Sequence, residues 1–137
     1  MPSAAINQSV STYREIALLV GRILIGALFL IVAYNSAMNI AGTTGYLASL
    51  GIPAPGVAIY LKLAIEFLGG LAILIGWHTR LAALVLVVFV LVAALFAHMK
   101  FGDGNQLNHF LKNMAIIGGL LAIYVTGSGA HSVDGKS

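Results

Sequence analysis

Four stretches of the chain are almost uninterruptedly apolar, and the polar residues gather between them. They run from about Ile16 to Met38, Val57 to Trp77, Leu81 to Met99 and Phe110 to Thr126. Each is close to the roughly 20 residues a helix needs to cross the hydrocarbon core of a bilayer. The pattern predicts an all-α fold, an integral membrane four-helix bundle. Residues 1–15 are polar and lack the basic start, short apolar run and small-residue cleavage site of a signal peptide. The chain divides into a polar cytoplasmic N-terminal segment (1–15), the four-span domain (16–126) and a tail (127–137) that reads as flexible.

The connections differ in kind. His78 and Thr79 join the second and third spans in a tight turn. The loop from Asn39 to Gly56 is longer and uncharged. In it Thr43-Thr44 are expected to cap a short helix through Tyr46 and Leu47, and Gly51 and Pro53 to stop it. Gly102-Asp103-Gly104-Asn105 is a strong turn signal before the fourth span.

Composition narrows the class. Of 137 residues 60% are hydrophobic and 8% charged, against about 25% charged in an average soluble domain. Mean hydropathy is +1.00. A soluble domain of this size buries only about two-thirds of its unfolded surface and has nowhere to hide so much apolar area. A soluble domain, a disordered chain and a nucleic-acid binder are excluded; the main partner is the lipid bilayer. Cysteine is absent, which removes thiolate metal sites, iron–sulfur clusters, covalently attached haem and dithiol relays.

The net charge of +3 is small and reads as charge that orients a membrane protein, not as a polyanion site. Four spans put both termini on one side, with Arg14, Arg80 and Lys136 there against Lys100 and Lys112 on the other. The positive-inside rule then places both termini in the cytoplasm.

The informative residues are ionisable groups inside the spans, since each costs about 2.5–3.5 kcal/mol at a helix centre. The first span holds Arg22, the second Lys62 and Glu66; the third ends with His98, and the fourth begins with Lys112 and Asn113. Lys62 lies about 7 Å deep at 1.5 Å per residue and can snorkel outward. Glu66 lies near the middle and needs a cation or a proton. Arg22 is its expected first partner across the helix interface, and Lys62, at i, i+4, its second. Facing supports an interior cluster: Arg22, Gly26, Phe29, Ala33 and Ser36 share a stripe, as do Lys62, Glu66, Gly69-Gly70 and Ile73. Lys112, Ala115 and Gly119 form a third stripe, and His98 follows Ala94 and Leu91. Small residues on these faces permit close helix approach, so these faces are expected to pack. Two polar zones follow: a mid-membrane Arg22–Glu66 pair, and an outer ring of Lys62, His98, Lys112 and Asn113.

The order of these features resembles a known family. Gly21-Arg22 with Gly26 and Phe29, "YLASLGIPAP" (Tyr46 to Pro55), "EFLGGLAILIGWHTRLAA" (Glu66 to Ala83), His98, and "LKNMAIIGGLLAI" (Leu111 to Ile123) are together similar to the DoxX family of small bacterial membrane proteins. The resemblance implies a four-helix bundle in the bacterial inner membrane. The family takes its name from a subunit of a thiosulfate:quinone oxidoreductase, and most members have no established activity. Arg22, Glu66, His98 and Asn113 match its recurrent polar positions. One stretch departs: where the family usually has a Gly and a Lys near the end of the first span, this chain reads Tyr34-Asn35-Ser36-Ala37-Met38.

Three functional readings remain open. In the first, the chain is the quinone-binding subunit of a membrane oxidoreductase complex. His98 and Glu66 then transfer protons, Arg22, Lys62, Lys112 and Asn113 bind the ligand, and a redox partner protein delivers electrons. The quinone is held without a covalent bond. In the second, the same ring binds a small solute or lipid for carriage. In the third, the polar residues only set helix register in a scaffold subunit. No metal site is expected, and homodimer formation is open.

Overall fold

A computed structural model describes residues 4–97 and 104–134, with side-chain surroundings for 11–97 and 107–134. It contains α1 (Ala4–Ala37), α2 (Ile40–Ser49), α3 (Pro55–Ile75), α4 (Thr79–Ala97) and α5 (Gly104–Thr126). Four of these, α1, α3, α4 and α5, are long and apolar enough to span a membrane. The predicted spans are present, and α1 runs unbroken back through the polar segment to Ala4.

The spans form a closed ring in which α1 packs mainly on α3 and α4 mainly on α5; α3 meets α4, and α5 meets α1 more sparingly. The core contains Phe29, Ile73, Ala83, Leu86, Val90, Leu120 and Ile123. The outer faces carry Leu24, Leu68, Val88 and Val125, all exposed, as a surface solvated by acyl chains requires.

Lipid is as apolar as leucine, so no hydrophobic force drives helix against helix; close packing and hydrogen bonds do. Two glycines supply the close packing. A β-carbon on Gly26 would lie 2.8 Å from the Gly70 carbonyl, and one on Gly70 would lie 2.9 Å from the Phe29 β-carbon. Adjacent Gly69 turns to a different neighbour, the Leu86 side chain of α4. The Gly-Gly pair thus lets α3 approach two helices at one level.

The expected packed stripe of α1 is buried at Arg22, Gly26, Phe29, Ala33 and Ser36. Two other expected faces are rotated. On α5, Lys112 and Ala115 are exposed, and the packed face is Leu120 and Ile123 with Ile116 and Ile117 beside them. On α4, Leu91 faces outward and the buried line is Ala83, Leu86, Val90 and Ala94. On α5 leucine and isoleucine fill the seam while Ala115 faces out; on α4 small and large residues share the seam, Ala83 and Ala94 beside Leu86 and Val90.

The loop helix is also capped differently. Asn39, not Thr43-Thr44, caps α2, its side chain accepting from the Gly42 N–H at 3.2 Å. Thr44 lies inside the helix and donates to the Ile40 carbonyl. Gly51, at φ +80°, ends the segment as expected.

The tail, expected to be flexible, is tied down over residues 127–134. Helix α3 ends at a left-handed Gly76, leaving a set of carbonyls that need donors. Trp77 N–H reaches Ala72 O at 2.8 Å, Val133 N–H reaches Ile75 O at 2.9 Å and Asp134 N–H reaches Gly76 O at 2.7 Å. The Asp134 carboxylate then accepts from His78 N–H (2.8 Å) and Thr79 N–H (3.0 Å), the first amides of α4. Partial burial pushes this carboxyl up, but the two amides and the nearby His78 outweigh it and hold it below the usual 3.8.

Two outcomes are expected. Gly70→Val forces α1 and α3 apart and lowers unfolding stability in detergent by about 1–3 kcal/mol, whereas Gly118→Ala, where nothing lies within 4 Å, leaves it unchanged. Asp134→Ala removes the cap of α4 at a cost of about 1 kcal/mol. Because the folded-state value is lowered, the wild-type advantage over Asp134→Ala is full above the ordinary carboxylate value of 3.8. It fades as pH falls below that value through the folded one, which denaturation of both proteins across pH 3 to 7 would show (a window of about four units around the carboxylate range).

Candidate functional site

Arg22 and Glu66 do not form the expected pair. Arg22 is fully buried, but its guanidinium donates to the carbonyls of Ile73 (3.3 Å) and Leu74 (3.2 Å) and to His131 O in the tail. The reason is side-chain direction. Every Cα–Cβ bond in a helix leans toward its N-terminus. α1 and α3 run antiparallel, so Arg22 leans toward the end that carries the termini while Glu66 leans the other way. The Ile73 level is about two helical turns, or some 10 Å, from Glu66. Arg22 therefore meets the negative end of the α3 dipole instead. Arg80 does the same for α5, its Nε donating to Tyr124 O at 3.2 Å.

Glu66 takes its second expected partner. The Lys62 ammonium lies 2.7 Å from Glu66 Oε1, one turn toward the N-terminus of α3. The Lys62 side chain is 20% exposed and that of Glu66 4%. The same ammonium donates to Ser36 Oγ at 2.9 Å. Ser36 lies near the end of α1, so a lysine ammonium is delivered there from α3. Ser36 is the site residue that sequence reasoning did not single out. Its place on the buried Arg22–Ala33 stripe was the available signal.

Beside this triad lies an apolar pocket of about 450 Å³, closed by α2 on one side and by α3 and α4 on the other. Leu47, Leu61, Ile65, Phe89 and Phe96 supply its walls, and among the described residues Lys62 is the charged one in its lining. Asn39 caps the start of α2 and Gly51 ends the segment, so α2 supplies one wall of the pocket through Tyr46 and Leu47. An ammonium at the edge of an apolar pocket, backed by a carboxylate, can donate a hydrogen bond to a ligand oxygen, with Glu66 beside it to hold a proton.

The remaining expected residues scatter. Lys112 is exposed on α5 and Asn113 half-buried there. α3 and α5 are diagonal in the bundle and share no helix contact, so the outer ring does not close through Lys112 and Lys62. His98 lies outside the described residues. Among the described residues no cluster of three or more His, Asp or Glu could hold a metal ion.

The DoxX family model matches residues 17–99, the first three spans and the α2 cover. The chain is 39% identical to Inner membrane protein YqjF of Escherichia coli (strain K12) over 120 residues, covering 88% of this chain and 91% of that protein. It is 33% identical to Inner membrane protein YphA of the same organism over 126 residues, covering 88% and 90%. No solved structure matches.

The ion pair allows a direct check on stability. Glu66→Ala strands the Lys62 ammonium and is expected to cost about 3 kcal/mol, the low end for a buried pair because Lys62 is partly exposed. Lys62→Met with Glu66→Met is expected to recover all but about 1 kcal/mol, since replacing both members by apolar side chains removes the desolvation penalty along with the attraction. Chemical unfolding of both variants in detergent reads the difference.

Proposed function

We propose that this chain, which belongs to the DoxX family, is a membrane subunit that binds a quinone in the pocket beneath α2 and serves a redox system of the bilayer. The observation that carries the reading is the Lys62 ammonium. It is anchored by Glu66 and Ser36 and borders a pocket otherwise apolar and large enough for a ring with the first part of an isoprenoid tail. Phe89 and Phe96 offer aromatic faces for ring stacking.

A bound quinone supplies a two-electron, two-proton acceptor with a carbonyl at each end of its ring. Lys62 donates a hydrogen bond to one carbonyl oxygen and fixes the ring in the pocket. Glu66, behind Lys62, holds the ammonium in place through their 2.7 Å ion pair and is the nearest described carboxylate able to hold a proton for that oxygen. The apolar walls contributed by α2 and α4 exclude water from the ring. Electrons come from a redox partner protein.

Binding decides this. Titration of purified protein with a short-chain ubiquinone, followed by calorimetry, is expected to give a saturable site. Lys62→Met/Glu66→Met should weaken it about tenfold or more, the loss of one hydrogen bond from a charged donor. Binding that is absent, or equal in the stable double variant, sinks the reading. Saturable binding of a non-quinone amphiphile with no quinone competition would favour the carrier reading instead.

A further inference from the structure

A second site lies at the other end of the molecule, where the termini gather. A polar cleft of about 530 Å³ there is lined by Arg14, Glu15, His78, Arg80, Asp134 and the backbone of residues 127–130. It shares His78 and Leu81 with an apolar furrow of about 500 Å³ that runs between α3 and α4 past Leu68, Ala72, Trp77 and Val85. A charged cleft thus adjoins an apolar groove. Trp77, half-exposed at their junction and packed edge-on against His78 at 4.4 Å, marks the level where a bilayer passes from acyl chains to headgroups.

The charges in the cleft are balanced. Arg14 and Arg80 are cations, and Glu15 and Asp134 are anions. The two carboxylates are fixed by backbone amides: Glu15 accepts from Ala130 N–H, and Asp134 from His78 and Thr79. Arg80 is held through its Nε on the α5 carboxyl end and lines the cleft; a guanidinium fork suits planar recognition of a phosphate. A ligand that places a phosphate against the arginines and an ammonium against the carboxylates would match this pattern, and one acyl chain would continue into the furrow.

We infer that the cleft and the α3–α4 furrow together form a binding site for an aminophospholipid of the phosphatidylethanolamine class. The phosphodiester lies between Arg14 and Arg80, the primary ammonium against Glu15 and Asp134, and an acyl chain along Leu68, Ala72 and Val85. The site is separate from the pocket beneath α2. It carries no chemistry; it adds a tightly held lipid that bridges α3, α4 and the tail.

Native mass spectrometry of the full chain released from nanodiscs of mixed phosphatidylethanolamine, phosphatidylcholine and phosphatidylglycerol tests it. One retained phosphatidylethanolamine per chain is expected, with retention reduced about fivefold in Arg14→Gln, the scale of one surface arginine. Val85→Trp, which fills the furrow, should cause a similar loss, and Glu15→Gln, which keeps an acceptor for Ala130, should erase the preference over phosphatidylcholine. Circular dichroism confirms that each variant keeps its helix content. Equal retention of all three lipids, a preference for phosphatidylglycerol, displacement by millimolar inorganic phosphate, or a Val85→Trp variant that retains lipid like wild type each overturns the proposal.

Discussion

The guanidinium of Arg22, laid across the carbonyls of Ile73 and Leu74 and the tail carbonyl of His131, sets the position of everything around it. The last carbonyls of a helix have no partner within the helix, and where the end is buried each needs a donor from elsewhere. In this chain the two spans that end on the terminus side, α3 and α5, each receive an arginine from a span that enters there, Arg22 from α1 and Arg80 from α4. The tail completes the α3 end with amides from Val133 and Asp134. The cost of burying a charge and the cost of leaving carbonyls bare offset each other at one place.

From that anchor the register of α1 against α3 follows. Arg22 meets Ile73 and Leu74, Gly26 meets Gly70, and Ser36 meets Lys62; these are three rungs of one antiparallel ladder. The glycine crossing at the centre brings the backbones close enough for the outer rung to form. That rung turns the Lys62 ammonium toward Ser36 and keeps it beside Glu66, at the edge of the pocket that α2 covers. The candidate quinone site is therefore a consequence of how the opposite end is tied. A change at Arg22 would be felt at Lys62 through helix register, not through an ion pair.

The two ends of the bundle then differ in kind. Toward α2 there is one buried ion pair beside an apolar chamber, suited to a hydrophobic molecule with one polar contact. Toward the termini two exposed arginines and two half-buried carboxylates adjoin an apolar furrow, suited to an amphiphile at the membrane surface. One set of four helices holds both because charge is buried only where another group answers it.

The sequence by itself determined the membrane class, the four spans, their small-residue contacts on α1 and α3, the family, and the residues whose charge needs explaining. These are matters of composition and periodicity, which survive without knowing who neighbours whom. It could not determine which charge answers which. Arg22 and Glu66 lie within one or two turns of each other by depth counting, yet opposite side-chain lean in antiparallel helices sends them to different partners. Nor could it place Lys112 and Leu91, since a one-residue rotation of a helix that is apolar all round leaves no trace in its pattern. The tail shows the same limit: Gly127 to Ser137 reads as loose chain, and only the fold reveals the bare helix end that its Val133 and Asp134 amides exist to meet. Hydrogen-bond demand is created by tertiary geometry, and so is its satisfaction.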